Sequence, residues 1–193
     1  SLNFRALVGR LKAFLIIVLL FTLGNSSNAF LLLRASGVGF DAQSVILLYF
    51  LFNIVALLLA YPMGRLSDRI GRRTLLVGGY LIYGLVYIGF AHVATRTGMV
   101  ALFAIYGIYT AMTAGTERAL IIEIAPANMK GTMLGLHGTL VGIGLLPASL
   151  IAGFLWNTFG AAAPFWFGGI LGLIAALSIA VILSNNARTS AEV

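Results

Sequence analysis

Residues 64–73 constrain this chain most strongly, because they read GRLSDRIGRR and separate two long apolar stretches. Those stretches, residues 43–63 and 74–94, each have the length of a membrane-spanning helix, which needs about 20 residues. We therefore predict that residues 64–73 form a short connection at a membrane surface. Because the connection contains four arginines, the positive-inside rule places it in the cytoplasm.

Individual residues within and just before this connection have predicted local roles. Pro62 is expected to help end the helix before it. Gly64 is expected to permit close approach of two helices, and Gly71 to adopt backbone angles that other residues avoid. Asp68 is expected to cap the helix that follows.

The composition excludes an ordinary soluble domain. Hydrophobic residues make up 61% of the chain and charged residues 9%, whereas soluble domains carry about 25% charged residues. Nine of the twelve lysines and arginines, all except Arg34, Arg96 and Arg118, fall in segments predicted to be cytoplasmic. We interpret this basic charge as membrane topology and expect the lipid bilayer, and no nucleic acid, as a partner.

The same inventory argues against enzymatic and metal chemistry. The chain has no cysteine, and His92 and His137 lack a ligand-spaced partner. No nucleophile and base constellation and no Walker phosphate-binding motif is visible. The sequence therefore predicts no metal site, no cofactor and no enzyme activity.

The apolar stretches predict an all-α integral membrane domain covering residues 1–193, with six spanning helices and both termini in the cytoplasm. The helices are expected at about residues 11–33, 43–63, 74–94, 99–123, 131–155 and 165–183. Polar residues 25–28 interrupt the first of them. Glycines are expected to give the fifth helix a surface for close packing in lipid: Gly131, Gly135, Gly138, Gly142 and Gly144.

One spacing is more specific than a basic loop. It consists of Gly64, Leu66, Asp68, Arg69, Gly71, Arg72, Arg73 and Leu76. This pattern resembles the signature loop of the major facilitator superfamily, which lies between the second and third helices of each six-helix half. The resemblance implies a six-helix bundle that forms half of a transporter, with the binding site between two halves. The first, second, fourth and fifth helices would line the cavity.

The C-terminal half is the favoured assignment. The basic lead-in at residues 1–12 suits the far end of a long central loop, and the fifth helix matches the antiporter motif of a first half only loosely. The first residue is Ser1 rather than Met, which favours a fragment or a trimmed chain. The expected partners are a small-molecule solute and either the other six-helix half or a second copy in a homodimer. The expected location is the cell membrane, as a multi-pass protein of the bacterial inner membrane.

Polar residues inside the membrane are candidates for the solute or proton pathway, because burial of such groups in lipid is costly. They are Asn25, Asn28, Asn53, Glu117 and His137. Glu117 and His137 are expected at the same depth, about 9 Å to the cytoplasmic side of the middle of their helices. Asn53 is expected near the midplane. Asn25 and Asn28 are expected on one face of the first helix.

Each of these residues also has a purely structural interpretation. The asparagines can serve as hydrogen-bond partners between helices, and His137 can be a packed neutral histidine. Glu117 either binds a cationic solute, exchanges a proton, or forms a structural ion pair with an arginine near the cytoplasmic surface. Thr110, Thr113 and Thr116 are expected to bond their own helix backbone.

A second group of residues is predicted to gate the cytoplasmic end. It consists of Gly64, Asp68, Arg69, Gly71, Arg72, Arg73, Glu123 and Lys130. Glu123 is expected to meet Arg72 or Arg73, and Lys130 to approach Asp68. Such pairs can hold the helix ends together in one state and release them in another, or they can be structural only.

Two functional hypotheses follow. The first is half of a secondary active transporter that moves a small solute by alternating access, as a proton-coupled antiporter or exporter. The second is a self-associating six-helix membrane module or scaffold without transport activity of its own.

Overall fold

The computed structural model describes residues 9–182 of the chain. Within this range it contains seven α-helices and no strand: α1 (Gly9–Gly24), α2 (Ala29–Gly37), α3 (Ala42–Ile70), α4 (Arg72–His92), α5 (Arg96–Ile124), α6 (Lys130–Phe159) and α7 (Ala163–Ile182). A short 3₁₀ turn, Ala127–Met129, precedes α6. The predicted lead-in before residue 9 and the polar tail lie outside the described residues.

Within the described residues, six segments are long and apolar enough to cross a membrane. The first, Leu11–Gly37, consists of α1 and α2, and each of the other five contains one of α3 to α7. The prediction of an all-α membrane bundle with six spans is therefore confirmed. The interruption expected in the first span is also present, because residues 25–28 separate α1 from α2.

The bundle is built around α4 and α7. These helices pack along each other, α4 also packs on α5, and α7 also packs on α1. Helix α3 lies against α5, and α6 lies against α1. The share of the most apolar stretch that is buried inside the protein is 56% for α4, but 17% for α3 and for the span that contains α6. Helices α3 and α6 therefore form the exposed sides of the bundle.

The arginine-rich segment is mostly helical, which corrects the prediction of a loop. Pro62 lies inside α3, and this helix continues to Ile70. Proline removes a single backbone donor, and spanning helices tolerate that loss. The chain turns at Gly71, which has φ +89°, a value that favours glycine.

Two other predictions for this segment were wrong. Asp68 lies in the last turn of α3, and the residue that caps α4 is Gly71, which makes no side-chain capping hydrogen bond. Gly64 has no close neighbour either, because a Cβ atom there would meet nothing within 4 Å in the described structure.

The predicted glycine packing surface on α6 is largely open. A Cβ atom would meet nothing within 4 Å at Gly131, Gly135, Gly138 or Gly142 in the described structure, whereas at Gly144 it would lie 2.9 Å from Thr22. Close backbone packing occurs elsewhere, between α1 and α7. A Cβ atom at Gly168 would overlap the carbonyl oxygen of Gly24 and come within 2.8 Å of the Tyr87 ring.

Gly168→Ala is expected to destabilise the bundle, because an added methyl group would force α1 and α7 apart. Overpacking of this kind costs about 1–3 kcal/mol, which corresponds to a fall in Tm of about 2–12 °C for a chain of this size. Thermal unfolding of the purified protein in detergent measures the change. The matched control is Gly37→Ala, where a Cβ atom meets nothing within 4 Å. Equal Tm changes in the two variants would contradict the close contact.

Candidate functional site

A cavity of about 670 Å³ opens along the inside of the bundle. Its walls come from the first, second, fourth and fifth spans, as the resemblance to a transporter half implies. The described lining residues are Val18, Phe21, Thr22, Asn25, Ser26, Ser27, Asn28, Tyr49, Phe52, Tyr106, Tyr109, Thr110, Thr113, Ala114, Glu117, Val141, Leu145 and Ser149. Helices α4 and α7 supply none of these and support the cavity from behind.

The break between α1 and α2 brings two asparagines to the cavity wall. Because residues 25–28 are not helical, Asn25 and Asn28 do not share a helical face, and that prediction was wrong. The side-chain amide of Asn25 donates to the Tyr109 hydroxyl over 3.4 Å. The Tyr106 hydroxyl donates to Asn28 Oδ1 over 3.0 Å. Both asparagines therefore connect the broken span to α5.

Glu117 is held by groups from two other helices. The hydroxyl of Tyr80 on α4 donates to Glu117 Oε1 over 2.9 Å. His137 Nε2 on α6 lies 3.3 Å from Glu117 Oε2. The two residues predicted at equal depth are therefore in contact, and the partner of Glu117 is His137 rather than the arginine that one interpretation expected.

The contact between Glu117 and His137 is close but not aligned. His137 Nε2 is buried and has no hydrogen-bond partner of acceptable geometry among the described residues, although the carboxylate oxygen is 3.3 Å away. We interpret the contact as electrostatic, and it is an ion pair when His137 is protonated. The titratable side chains that interact with Glu117 are Tyr80 on α4, Tyr109 on α5 and His137 on α6.

Asn53 does not join this group. Its side-chain amide donates over 2.7 Å to the backbone oxygen of Tyr49 on its own helix, and it does not line the cavity. Thr110 and Thr113 bond backbone oxygens four residues earlier, as predicted.

Comparison with known proteins identifies the family. The family model of the Major Facilitator Superfamily matches residues 13–192. The chain belongs to the major facilitator superfamily.

Relatives in this superfamily differ in what they carry. The chain is 39% identical to an uncharacterized MFS-type transporter of Methanocaldococcus jannaschii over 178 residues. This alignment covers 89% of this chain and 44% of the relative. It is 30% identical over 133 residues to the arabinose-proton symporter of Escherichia coli, and the alignment covers 67% of this chain and 27% of the symporter. It is 27% identical over 125 residues to citrate exporter 1 of Aspergillus niger, and the alignment covers 65% of this chain and 24% of the exporter. The chain therefore spans less than half the length of these relatives.

The signature segment of this superfamily member makes contacts at one end of the bundle. Arg72 Nη1 lies 3.1 Å from Glu123 Oε2 and donates to the Ala119 oxygen over 2.8 Å. Arg73 donates to the backbone oxygen of Ala180 on α7. The expected contact of Glu123 with Arg72 is therefore present. Between Asp68 and Lys130, both among the described residues, no ion pair forms in this conformation.

The opposite end carries Arg34 and Arg96, which lie outside the segments predicted to be cytoplasmic. Arg34 donates to the backbone oxygens of Phe90, Ala91 and Val93, where α4 ends. Arg96 donates to the Gly39 oxygen and lies over the Phe40 ring. Near Arg96, Ser44 donates a hydrogen bond to the Asp41 carboxylate, and this bond lowers the pKa of Asp41.

Sequence reasoning missed the role of the tyrosines. No hydrogen-bonding role was predicted for Tyr80, Tyr83 or Tyr87, but Tyr80 binds Glu117 and the Tyr83 hydroxyl donates to the Gly24 oxygen over 2.9 Å. Their spacing along an otherwise apolar helix was the available signal, since a buried tyrosine hydroxyl needs a partner.

Tyr80→Phe is expected to destabilise the protein more when Glu117 is present than in a Glu117→Gln background. A hydrogen bond to a charged acceptor contributes about 1.5–3 kcal/mol, and one to a neutral acceptor about 0.5–1.5 kcal/mol. Unfolding of the two single variants and the double variant gives the coupling free energy. Tyr61→Phe serves as the control, because Tyr61 is 73% exposed. Strictly additive effects would show that Tyr80 does not bind an ionised Glu117.

Proposed function

We propose that this chain is the C-terminal half of a secondary active transporter that moves a small solute across the cell membrane by alternating access. The observation that carries the proposal is the cavity on the inner side of the bundle, which contains a partly buried carboxylate. Membership of the superfamily supports the same reading. The exposed sides of α3 and α6 supply the surfaces that a second six-helix half would cover.

The location of the cavity residues supports a bundle in which four spans line the solute site and α4 and α7 support it. Every lining residue of the cavity comes from the first, second, fourth or fifth span, while α4 and α7 pack mainly on other helices. A soluble half with such apolar outer faces would aggregate, but in lipid those faces contact acyl chains or the other half.

Proton coupling is the finer part of the proposal. Glu117 is 16% exposed as a side chain, so it is accessible from the cavity and yet largely removed from water. A carboxylate in this position can hold a proton in one conformation and release it in another, because its surroundings change as the cavity opens and closes. His137 lies close enough to exchange the proton with Glu117. The proposed cycle is antiport, with proton entry driving solute efflux.

The orientation in the membrane is part of the same proposal. Arg65, Arg69, Arg72 and Arg73 lie at one end of the bundle, and the positive-inside rule places that end in the cytoplasm. The contact between Arg72 and Glu123 would then be a cytoplasmic latch that closes in one state of the cycle.

A second reading is that the chain associates with a copy of itself and does not transport a solute. The exposed sides of α3 and α6 also favour this second hypothesis, since either a second copy of the chain or another six-helix half could cover them. Flux measurements separate the two readings.

Glu117→Gln is expected to abolish accumulation driven by a pH gradient, because glutamine cannot carry the proton. The measurement uses this chain assembled with the other six-helix half in liposomes, and a panel of labelled sugars, organic acids, amino acids and organic cations. Exchange of labelled for unlabelled solute, measured at saturating solute concentration without a gradient, is expected to persist in this variant. Asp41→Asn, at the opposite end of the bundle from Arg72 and Arg73, is the control.

Two results would contradict these proposals. If no solute in the panel crosses the membrane with the protein present, the transport assignment is wrong. If solute moves but ignores an imposed pH gradient in the unaltered protein, the coupling is wrong and transport stands.

Glu123→Gln is expected to loosen the latch. Glu123 is 58% exposed as a side chain, and exposed ion pairs contribute about 0–1 kcal/mol. The balance between conformations should therefore shift by at most about fivefold. Since the chain has no cysteine, a single Ala114→Cys reporter on the cavity wall can be followed by its rate of reaction with a maleimide.

The faster reaction is expected when the maleimide is supplied from the arginine-rich end. The same reporter combined with Asp41→Asn should react at the rate of the reporter alone. An unchanged rate in Glu123→Gln would show that the Arg72 contact is structural only.

A further inference from the structure

The cavity has one sign of charge. Of the described residues that line it, Glu117 is the single aspartate, glutamate, lysine, arginine or histidine. The other polar groups on the wall are neutral amides and hydroxyls, as in Asn25 and Thr113. No lysine or arginine lines it among the described residues. A solute in this cavity therefore meets a negative electrostatic potential.

The contacts that hold Glu117 come from outside the cavity wall. Tyr80 donates a hydrogen bond to one of its oxygens and His137 Nε2 lies 3.3 Å from the other, and neither residue is among the described residues that line the cavity. A carboxylate has about four acceptor sites on its two oxygens. Two neighbours therefore leave acceptor capacity on the side that faces the cavity.

The rest of the wall is rich in aromatic rings. Phe21, Tyr49, Phe52, Tyr106 and Tyr109 line the cavity. Hydrogen bonds to Asn28 and Asn25 hold the hydroxyl ends of Tyr106 and Tyr109, and the centroids of these two rings are 5.2 Å apart. Aromatic ring faces attract cations and apolar surfaces. Rigid rings beside a carboxylate suit a positive charge attached to an apolar body.

We propose that the solute is a monovalent organic cation with an aromatic or apolar body. Its positive charge lies against Glu117, and its body lies on the rings of Phe21, Tyr106 and Tyr109. This inference rests on the proposed function, since it takes the cavity as the solute site. An anion would meet Glu117 at low dielectric without a compensating positive group on the wall, which is unfavourable.

The test compares three probes of similar shape and different charge: N-methyl-4-phenylpyridinium, neutral 4-phenylpyridine and the anion biphenyl-4-carboxylate. Equilibrium binding is measured calorimetrically with the purified protein in detergent at mildly alkaline pH. The cation is expected to bind about 30-fold or more tightly than the neutral probe, with the anion weakest. Equal or tighter binding of the neutral or anionic probe overturns the proposal, and so does absence of binding by all three.

Variants locate the source of the preference. Glu117→Gln is expected to remove the preference for the cation and to leave the affinity for 4-phenylpyridine unchanged. Tyr109→Leu is expected to weaken cation binding by about 2- to 30-fold, and Tyr109→Phe, which keeps the ring, to weaken it less. Asp41→Asn is the matched control for loss of a carboxylate. Retention of the cation preference in a folded Glu117→Gln protein overturns the proposal.

The binding measurements test the solute class and the flux measurements test the proposed function, so failure of one proposal can be distinguished from failure of the other. Selective binding of the cation without any flux in liposomes would contradict the proposed function and support the solute class. Transport of a neutral or anionic solute, without binding of the cation, would support the proposed function and overturn the solute class.

Discussion

The hydrocarbon of a membrane offers no hydrogen bonds, so each polar group of a spanning segment needs a partner within the protein. The break between α1 and α2 meets this requirement through tyrosines. Tyr83 donates to the Gly24 oxygen, while Tyr106 and Tyr109 bond the side chains of Asn28 and Asn25. The same contacts fix the aromatic rings on the cavity wall. A requirement of backbone chemistry therefore determines the arrangement of the candidate site.

The tyrosines in turn depend on close packing of α1 against α7, a helix that supplies no described residue of the cavity wall. At Gly168 and Gly24 the backbones of α7 and α1 approach so closely that no side chain fits between them. The ring of Tyr87 lies against the same point. Because α4 is held in this way, Tyr80 on the same helix reaches Glu117 from behind the cavity. Polar geometry at the site is thus set by apolar packing a few turns away.

Composition and spacing were sufficient for the fold, because six apolar stretches separated by charge permit few alternatives. They also placed Glu117 and His137 at one depth, where the structure brings them together. They were insufficient wherever local signals conflict with helix continuity. Pro62 was expected to end its helix and does not, because losing one donor does not outweigh the helical bonds on either side. Asn25 and Asn28 were placed on a helical face, which a break in the helix removes, and Tyr80 could be paired with Glu117 only by tertiary packing.

Glu117 and Glu123 show how environment divides the roles of two identical side chains. They lie six residues apart on α5, a rise of about 9 Å, and their side chains are 16% and 58% exposed. Water screens the contact of Glu123 with Arg72, so this pair breaks at little cost and suits a contact that opens in every cycle. Burial makes an unpaired charge on Glu117 costly, so its charge must be balanced by a neighbour, a proton or a solute. In the proposed cycle that need links proton release to solute binding.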